Sequence, residues 1–451
     1  MSQDDFLSKN SSNNNTPRVA ISNLGCKVNQ YEAEAMIDEF KQAGFCLVDF
    51  SQTADIYVIN SCAVTTQAAS KSRKRARRAK RRGGSESLVI MAGCYSQVNP
   101  QEIKEIEEVD YIIGSDEKEK LVQKVKQLIT SQENWDYSRQ DYNDMNSFPD
   151  FQVQNIDKRT RANIKIQDGC SQFCSYCIIP YARGQKRSRP PQKVVDEIKH
   201  LKQNNIKEFI LTGIHLGAYG DDFSREGDHL SRLLESLINI TGKFRIRLSS
   251  IEINEITEKL LQLLADKNKI CPHLHIPLQS GSDKILDRMN RPYSSREFKK
   301  RIDWIRSEIP DIAISTDVMV GFPGEKTKNF QETFKLLQEI GFSRAHVFNF
   351  SPRPGTEAAK MSGQVDSEIK KERSQELRKL ADRLKMQYEK QFLQEELEVL
   401  CERQNSEGTY SGYTENYIRA KVSAEQELTN TFQKIKLTEI RENQENLAVL
   451  I

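Results

Sequence analysis

The sequence lacks any apolar run long enough to cross a bilayer, and it has few cysteines for its length. A transmembrane helix needs about 20 consecutive apolar residues, and the 451 residues contain no such run. Nine cysteines, an odd number, do not fit the dense disulfide framework of a small secreted protein. We therefore expect reduced thiols and a soluble, cytoplasmic protein with no membrane partner.

The sequence also lacks a large excess of either positive or negative charge, because 67 basic and 64 acidic residues leave a formal net charge of only +3. This balance hides one local exception, the tract "KSRKRARRAKRR" at residues 71–82. A charged helix face is often only solvated, but so dense a run of basic side chains favours binding to a partner that carries phosphates.

The first third of the chain repeats one pattern, an apolar β-type run followed by a cysteine. The three strings are "RVAISNLGC", "DIYVINSC" and "LVIMAGC". Helical segments alternate with them, which predicts a parallel α/β sheet. Because ligands gather at the carboxyl ends of parallel strands, Cys26, Cys62 and Cys94 are candidate ligands. Each of the three can also be read as a small, buried apolar residue.

The length predicts several domains, since single hydrophobic cores stop growing at about 250–300 residues. We expect a disordered start at 1–16, an N-terminal sheet domain at 17–130 and a linker at 131–157. Six strand–helix units at 158–385 predict an open, partial (βα)6 barrel that ends in an amphipathic helix. Short alternating strands at 386–451 predict a small antiparallel β-barrel.

The densest group of cysteines is in "QDGCSQFCSYCIIPYARG", where Cys170, Cys174 and Cys177 fall within eight residues. Three thiolates on one loop can hold three irons of a cubane cluster, which normally has four cysteine ligands. The fourth iron is then open and can chelate the amino and carboxylate groups of S-adenosylmethionine. The alternative is zinc, but a zinc site should be closed by a histidine or a fourth cysteine, and neither His200 nor His215 is near in sequence.

This motif resembles the signature of radical S-adenosylmethionine enzymes, and the chain from about Arg18 onward resembles a methylthiotransferase. The likeness is carried by "LGCKVNQYEAE", "NSCAVT", "MAGCYSQ", "LTGIHLGAYG", "RLSSIE", "HLHIPLQSGSDKILDRMNRPY", "TDVMVGFPGE", "FNFSPRPGT" and "GYTENYIRAKV". It implies a methylthiotransferase N-terminal domain at 17–130, a radical S-adenosylmethionine domain at 158–385 and a TRAM RNA-binding domain at 386–451.

The resemblance also implies the cofactors, namely S-adenosylmethionine and two [4Fe-4S] clusters. One cluster would be bound by Cys170, Cys174 and Cys177, and the second, here called the auxiliary cluster, by Cys26, Cys62 and Cys94. The family likeness further suggests four residues that line the S-adenosylmethionine site, although ordinary turns use the same residue types: Gly213, Ser250, Gln279 and Gly281.

A radical mechanism follows from the same resemblance. A sulfide at the auxiliary cluster would be methylated by one S-adenosylmethionine, while a second is cleaved at the Cys170 cluster. The 5′-deoxyadenosyl radical would then remove hydrogen from an unactivated carbon, which takes the methylthio group. Such a carbon has no removable proton, so the cofactors supply the chemistry and the protein supplies position. No catalytic residue beyond the cluster ligands is assigned.

The likeness is strongest to the subgroup that modifies C2 of N6-threonylcarbamoyladenosine at position 37 of tRNA. It rests on "LGCKVNQYE", "RLSSIEINE" and "HVFNFSPRPGT". Alternatives are the subgroup acting on N6-isopentenyladenosine at position 37 and, more distantly, the one modifying a ribosomal-protein aspartate. A non-catalytic, zinc-containing RNA-binding protein is the alternative from another class. The expected partners are the tRNA anticodon stem-loop and a reductant such as flavodoxin or ferredoxin, and the sulfur donor is unknown.

The remaining candidates have less specific predictions. Cys46 is predicted to lie in the core, and Cys271 and Cys401 are predicted to be structural. Asp317 is open between a polar ligand contact and a structural ion pair, while His273 and His275 are expected to pack. Aromatic and basic side chains on the last strands fit nucleic-acid contact, although some of the tyrosines must be core: Tyr410, Tyr413, Tyr417, Arg419 and Lys421.

Overall fold

The computed structural model describes residues 16–130, 137–156, 159–224, 227–266, 269–405 and 408–451. Residues 1–15 of the expected disordered start, and 131–136 and 157 of the expected linker, lie outside this range. Within it, no helix combines the length and the apolar composition that crossing a membrane requires. The chain divides into two compact units, described separately. Unit 1 runs to Ile156 and includes Gln167–Phe173 and Cys177–Arg189, and unit 2 holds the rest.

Unit 1 is built on one sheet in which every pairing is parallel, with the order β2-β1-β3-β4-β5-β6. Its strands are β1 (Arg18–Asn23), β2 (Cys46–Val48), β3 (Ile56–Ser61), β4 (Leu88–Gly93), β5 (Tyr111–Ile113) and β6 (Tyr137–Ser138). The central β3 is buried at every residue, as expected for a parallel strand covered on both faces. The predicted parallel α/β sheet is confirmed, and β6 adds to it from the segment expected to be a linker.

Most helices of unit 1 lie between these strands, and the last one comes after the last strand of the sheet. They are α1 (Lys27–Gln42), α2 (Thr66–Gly83), α3 (Cys94–Val98), α4 (Pro100–Lys104), α5 (Leu121–Thr130) and α6 (Ile179–Arg183), with a 3-10 helix at Glu117–Lys120. The basic tract lies within α2, whose buried face consists of small residues at helical spacing: Ala69, Ser72, Ala76 and Ala79. Unit 1 also contains a two-stranded antiparallel pair, β8 (Gln167–Asp168) with β9 (Arg187–Ser188).

The larger part of unit 2 contains two three-stranded parallel sheets, with the orders β7-β10-β11 and β12-β13-β14. The strands are β7 (Arg161–Lys165), β10 (Glu208–Thr212), β11 (Arg245–Leu248), β12 (His273–His275), β13 (Ala313–Val320) and β14 (Arg344–Asn349). Parallel bridges Ile246–Ile270 and Ser250–His275 join the two sheets. Together they form the partial (βα)6 barrel that the sequence predicted.

Helices alternate with these strands. They are α7 (Pro191–Gln203), α8 (His229–Ile238), α9 (Glu258–Ala265), α10 (Asp283–Arg288), α11 (Ser295–Glu308), α12 (Thr327–Ile340), α13 (Glu357–Lys360) and α14 (Ser367–Lys390), with 3-10 helices at Leu216–Ala218 and Ile253–Glu255. The last helix, α14, buries Leu377, Leu380, Leu384 and Tyr388, so the predicted amphipathic connector is confirmed.

The C-terminal strands close into a small barrel in the order β15-β16-β17-β19-β18. They are β15 (Glu396–Gln404), β16 (Thr409–Thr414), β17 (Arg419–Ser423), β18 (Thr431–Glu439) and β19 (Asn446–Leu450). The predicted barrel is present, but it is mixed because β17 and β19 pair in parallel. A closed ring with an odd number of strands cannot alternate direction throughout, so at least one parallel pairing is required.

The small barrel packs on the base of the (βα)6 barrel through a buried carboxylate. Glu208 pairs with the Nε atoms of Arg245 at 2.6 Å and Arg247 at 3.1 Å. The other ends of the two guanidinium groups donate to three carbonyl oxygens of the small barrel, those of Tyr413, Thr414 and Glu415, at 2.9–3.2 Å. The charges therefore tie the two barrels together.

The tyrosines considered for nucleic-acid contact have structural contacts here. Tyr410 lies in the core of the small barrel. Tyr413 and Tyr417 stack on each other at 4.6 Å, and the Tyr417 ring also lies 4.5 Å from the Arg247 guanidinium and 4.7 Å from the His273 ring. These three side chains are therefore engaged within unit 2.

Candidate metal centres

Cys26, Cys62 and Cys94 follow three neighbouring strands of the unit 1 sheet, β1, β3 and β4. Cys26 is the N-cap of α1, Cys62 comes directly after β3, and Cys94 begins α3. The loop after β1 lies against Cys62, because a Cβ on Gly25 would be 3.1 Å from the Cys62 Sγ. Each thiol also lies within electrostatic range of the other two. The structure thus brings the predicted trio together at one edge.

The surroundings of this trio suit a soft metal better than free thiols. Cys62 and Cys94 are buried, whereas Cys26 is exposed. Burial, followed by the neighbouring Cys94, raises the pKa of Cys62 to about 12, although Arg183 acts in the opposite direction. A coordinating metal deprotonates such a thiol outright. Three sulfur donors at one edge of the sheet match the kind of ligand that an iron–sulfur cluster requires.

A fully buried arginine, Arg183, lies beside the trio with all its N–H groups directed at acceptors. Its Nε donates to the Cys94 Sγ at 3.2 Å. The two terminal nitrogens donate to Glu32, Asp168 and Asn29 at 2.5–3.2 Å. Burial acts to lower the pKa of Arg183, but Cys94, Glu32 and Asp168 together raise it well above its usual value, so the guanidinium stays charged.

A second set of contacts holds the strand-end loops around this arginine. Lys118 pairs with Glu32 and donates to the Asn60 side chain at 3.4 Å. The Asn29 amide donates to the carbonyl oxygens of Leu24 at 2.8 Å and Ser61 at 3.0 Å. Because Leu24 and Ser61 each lie within two residues of a candidate cysteine, the network fixes the backbone that presents the thiols.

The loop with the other three cysteines connects β8 to α6, and all three are partly exposed. In unit 1, the Cys170 amide donates to the Gly184 carbonyl at 3.0 Å, and the Gln172 amide donates to the Cys170 Sγ at 3.5 Å. Phe173 takes a positive φ of 47° and is 45% exposed. Backbone N–H donation and partial exposure are both suited to cluster ligands.

In unit 2, Cys174 receives a hydrogen bond from a buried arginine. The Arg291 Nη1 donates to the Cys174 Sγ at 3.4 Å, while its Nη2 pairs with Glu252 and its Nε donates to the Tyr293 hydroxyl at 3.1 Å. The next residue, Ser175, is held through its amide and hydroxyl by the carbonyl oxygens of Met289 at 3.1 Å and Arg288 at 2.7 Å. Cys174 therefore has a defined position.

The four residues expected to line an S-adenosylmethionine site follow strands of the (βα)6 barrel. Gly213 and Gln279 are partly buried and Ser250 is exposed. Gln279 has a φ of +64°, which side-chain-bearing residues rarely adopt and which is common at functional sites. Gly281 is buried, and a Cβ there would come within 2.6 Å of the Thr333 Cα, so close packing on α12 alone requires this glycine.

Asp317 contacts a histidine on the neighbouring strand, which is compatible with the structural role that was one of its two predictions. Its Oδ2 lies 3.2 Å from the His275 Nε2. His275, Asp317 and His346, on β12, β13 and β14, each offer one ligand atom within 4.8 Å of the others. His273 packs on Tyr417, as the expected packing role requires.

Sequence reasoning placed the cysteines but missed the side chains around them. Arg183 stands in "PYARG", six residues after Cys177, and Arg291 stands in "RMNRPY". Both strings were used for the resemblance, yet nothing in their composition indicated burial beside sulfur. The prediction for Cys46 was wrong, because it is exposed on the three-residue edge strand β2. Cys271 and Cys401 are buried, and the structure describes no disulfide for them.

Comparisons with known proteins add two family matches. The model for the radical SAM superfamily matches residues 164–337, which contain most of the (βα)6 barrel and the cysteine loop. The model for the uncharacterized protein family UPF0004 matches residues 18–114, which include Cys26, Cys62 and Cys94.

Curated relatives match over nearly the whole chain. The chain is 40% identical over 430 residues to the threonylcarbamoyladenosine tRNA methylthiotransferase MtaB of Bacillus subtilis, which covers 93% of each chain. It is 38% identical to the MtaB of Thermotoga maritima, covering 89% of this chain and 90% of the relative. It is 35% identical to the tRNA-2-methylthio-N(6)-dimethylallyladenosine synthase of Thermodesulfovibrio yellowstonii, covering 88% and 90%.

Solved structures support the fold. The radical S-adenosylmethionine methyltransferase TsrM of Kitasatospora setae, with cobalamin and a [4Fe-4S] cluster bound, has a TM-score of 0.55 at 14% identity, covering 76% of this chain and 77% of that chain. Identity this low indicates a shared fold only. The near-complete match to curated methylthiotransferases goes further, and with it we conclude that the chain belongs to the radical S-adenosylmethionine methylthiotransferase family.

Proposed function

We propose that this chain adds a methylthio group to C2 of N6-threonylcarbamoyladenosine at position 37 of tRNA, using S-adenosylmethionine and two [4Fe-4S] clusters. The observation that carries the proposal is the 40% identity to the Bacillus subtilis MtaB over 93% of both chains. The two separate trios of cysteines agree with it, because each can hold three corners of a cluster and leave one iron open.

In this proposal the six cysteines are the metal ligands, and the neighbouring side chains hold them in place. Cys170, Cys174 and Cys177 bind the cluster that S-adenosylmethionine joins, and Cys26, Cys62 and Cys94 bind the auxiliary cluster. When bound, these groups supply the electron, the 5′-deoxyadenosyl radical and the sulfur that the reaction needs. The chain itself supplies Arg291, which donates to Cys174, and Glu252, which holds Arg291 in turn.

The proposed S-adenosylmethionine lining is Gly213, Ser250, Gln279 and Gly281, at strand ends of the barrel. Gln279 is the most informative of them. It is the central residue of a tight turn in which the Ser280 amide donates to the Leu278 carbonyl at 2.8 Å, and its positive φ costs about 1–3 kcal/mol. Its amide donates to the Asp317 carbonyl at 2.9 Å and its carbonyl accepts from the Met319 amide at 2.8 Å. Those bonds hold the backbone in this conformation.

One face of α2 is proposed to bind the tRNA phosphates. Arg73, Arg77 and Lys80 are paired with Glu102, Glu108 and Asp110. Four other basic side chains of α2 are exposed, and the described residues provide no acidic partner for them. Their spacing of i, i+3, i+7 and i+10 places them along one face of the helix: Lys71, Lys74, Arg78 and Arg81. Such a stripe of uncompensated cations can follow an RNA backbone.

The proposal also includes an electron donor, the bound region of the tRNA and the location of the protein in the cell. An electron must reach the Cys170 cluster, and a flavodoxin or ferredoxin is the class of donor that we propose. The anticodon stem-loop is the proposed part of the tRNA, because position 37 lies there. These partners place the protein in the cytoplasm.

Mass spectrometry of tRNA nucleosides from a deletion strain tests the substrate. We expect the methylthio form of N6-threonylcarbamoyladenosine to disappear and to return with the wild-type gene. If that nucleoside survives while the methylthio form of isopentenyladenosine is lost, the alternative favoured by the 35% identical synthase is correct.

Anaerobic purification tests the class of protein. Two [4Fe-4S] clusters predict about eight irons per chain and a brown colour. A colourless chain containing zinc would instead support a non-catalytic RNA-binding protein.

A further inference from the structure

The Arg183 guanidinium uses four of its N–H groups on oxygen and one on sulfur. The oxygens belong to Glu32, Asp168 and Asn29, and the sulfur is the Cys94 Sγ, 3.2 Å from the Nε. A neutral thiol is only a weak acceptor. A metal-bound thiolate is a strong one, since hydrogen bonds between ionised groups are about twice as strong as neutral ones. The geometry is therefore suited to a ligated Cys94.

The charges around Arg183 balance before any thiolate is counted. The cations are Arg183, Lys118 and Arg187. The anions that pair with them are Glu32, Asp168 and Asp116. The network therefore has no surplus positive charge that would already compensate a negative charge on the Cys94 sulfur. The cation in contact with this sulfur is Arg183. At this distance in a buried site, a positive charge stabilises added electron density strongly.

Arg183 is also held by the segment that carries two cysteines of the other trio. It is the last residue of α6, which begins two residues after Cys177, and Gly184 ends the helix with a φ of +71°. The Gly184 carbonyl accepts the Cys170 amide at 3.0 Å. The position of the guanidinium therefore depends on how this segment is folded.

We propose that Arg183 is a positioning residue for the auxiliary cluster, whose Nε–H bond to Cys94 fixes this ligand and raises the reduction potential of the cluster. Hydrogen bonds to ligand sulfur and nearby positive charge both stabilise the reduced form. The inference rests on the proposed function, because it needs the auxiliary cluster on Cys26, Cys62 and Cys94.

The experiment isolates that cluster in the full-length chain. In a parent variant, Cys170, Cys174 and Cys177 are changed to alanine, so that only the auxiliary site can bind iron. Arg183→Gln and Arg183→Lys are then compared with Arg189→Gln, a control arginine of equal burial in the same segment that donates to the Tyr31 hydroxyl at 3.2 Å. The readouts after anaerobic reconstitution are iron per chain and the midpoint potential from a titration followed by electron paramagnetic resonance.

We expect a more negative potential for Arg183→Gln, a smaller negative shift for Arg183→Lys, which keeps the charge but loses the Nε donor, and no shift for Arg189→Gln. Loss of iron in both Arg183 variants, with unchanged circular dichroism and with iron kept by Arg189→Gln, also supports the role in holding Cys94. Parent-like potentials in both Arg183 variants, or an equal shift in Arg189→Gln, would overturn the inference. A parent variant without iron would instead reject the auxiliary cluster of the proposed function.

Discussion

Both units contain a buried glutamate that pairs with two cations, but the remaining N–H groups of these cations donate to different kinds of acceptor. In unit 1, Glu32 lies between Arg183 and Lys118. In unit 2, Glu208 lies between Arg245 and Arg247, with Arg161 3.6 Å away. Burial and charge alone do not distinguish the two networks.

What distinguishes them is where the remaining N–H groups are directed. In unit 2 they donate to backbone carbonyl oxygens of the small barrel, which makes that network a structural joint. In unit 1 one of them donates to the Cys94 sulfur, within a trio of thiols. A cysteine, Cys271, also lies near Arg247, but the charged groups that act on its thiol are Arg247, Arg245, Glu208 and Glu415 and include no cysteine. The grouping of thiols, and not the buried charge, marks the candidate metal centre.

The largest expected effect is on iron content and activity, when the cysteine beside each buried arginine is replaced. We expect Cys94→Ala to lose about four of about eight irons and to reduce methylthio product to background. Cys271→Ala, in the same kind of charged surroundings, should keep its iron and lose at most about 2 kcal/mol of stability. Iron analysis and product measurement check both variants. Equal iron in the two variants would show that the thiol grouping has no metal role.

The next effect concerns the structural joint. Glu208→Gln leaves buried arginines without their counter-charge, which should lower the free energy of unfolding by about 3–5 kcal/mol. The control is Glu398→Gln, whose pair with Lys243 is solvent-exposed and should be worth about 0–1 kcal/mol. Urea unfolding measures both. If the two variants lose the same stability, the joint between the barrels is not held by Glu208.

The pH dependence of the stability of Glu208→Gln tests whether this glutamate is charged in the folded protein. Burial acts to raise the pKa of Glu208, but Arg245, Arg247 and Arg161 hold it well below its ordinary value. A carboxyl with a lowered folded pKa stabilises the protein above its unfolded pKa, about 4.3, and loses that contribution as the pH falls toward the folded value. The stability gap between wild type and Glu208→Gln should therefore be constant from pH 7 to 5 and shrink below pH 4. A gap that widens in acid would contradict this assignment.

The smallest expected effect concerns charges that belong to neither network. Changing Lys71, Lys74 and Arg78 to glutamine should weaken tRNA binding and lower the slope of log affinity against log salt by roughly 2 to 3, since each phosphate contact contributes about 0.7–0.9. The matched control changes Arg73, Arg77 and Lys80, which already have acidic partners. Binding titrations at several salt concentrations measure the slopes. Equal losses in the two triples would argue for general charge attraction over a defined stripe.

The sequence was sufficient to predict the elements and the cysteines. Strands such as β4 and β10 could be predicted because buried parallel strands form nearly continuous apolar runs. The strand-end position of Cys26, Cys62 and Cys94 followed, because parallel strands place their carboxyl ends at one edge. The assignments of the six cysteines as ligands stay predictions until iron is measured.

Other residues could not be assigned from the sequence. Cys46 stands in an apolar string, yet β2 is a short edge strand, so one side of it meets solvent. Tyr413 lies near the end of β16 and Tyr417 in the turn before β17, and the sequence does not show what their rings pack against. The contact with Arg247 comes from residues about 170 positions apart.

The local order of residues determined the Cys170 loop, the alternation of strands and helices, and the helical register that separates the buried small residues of α2 from its basic side chains. Each of these depends on neighbours within about one to two helical turns or a single loop. Tertiary structure alone decided that Arg183 meets Cys94, 89 residues away, and that Glu208 meets the arginines of the next strand. The physical reason is that a buried charge is stable only where folding brings its partners to it, and no short stretch of chain contains those partners.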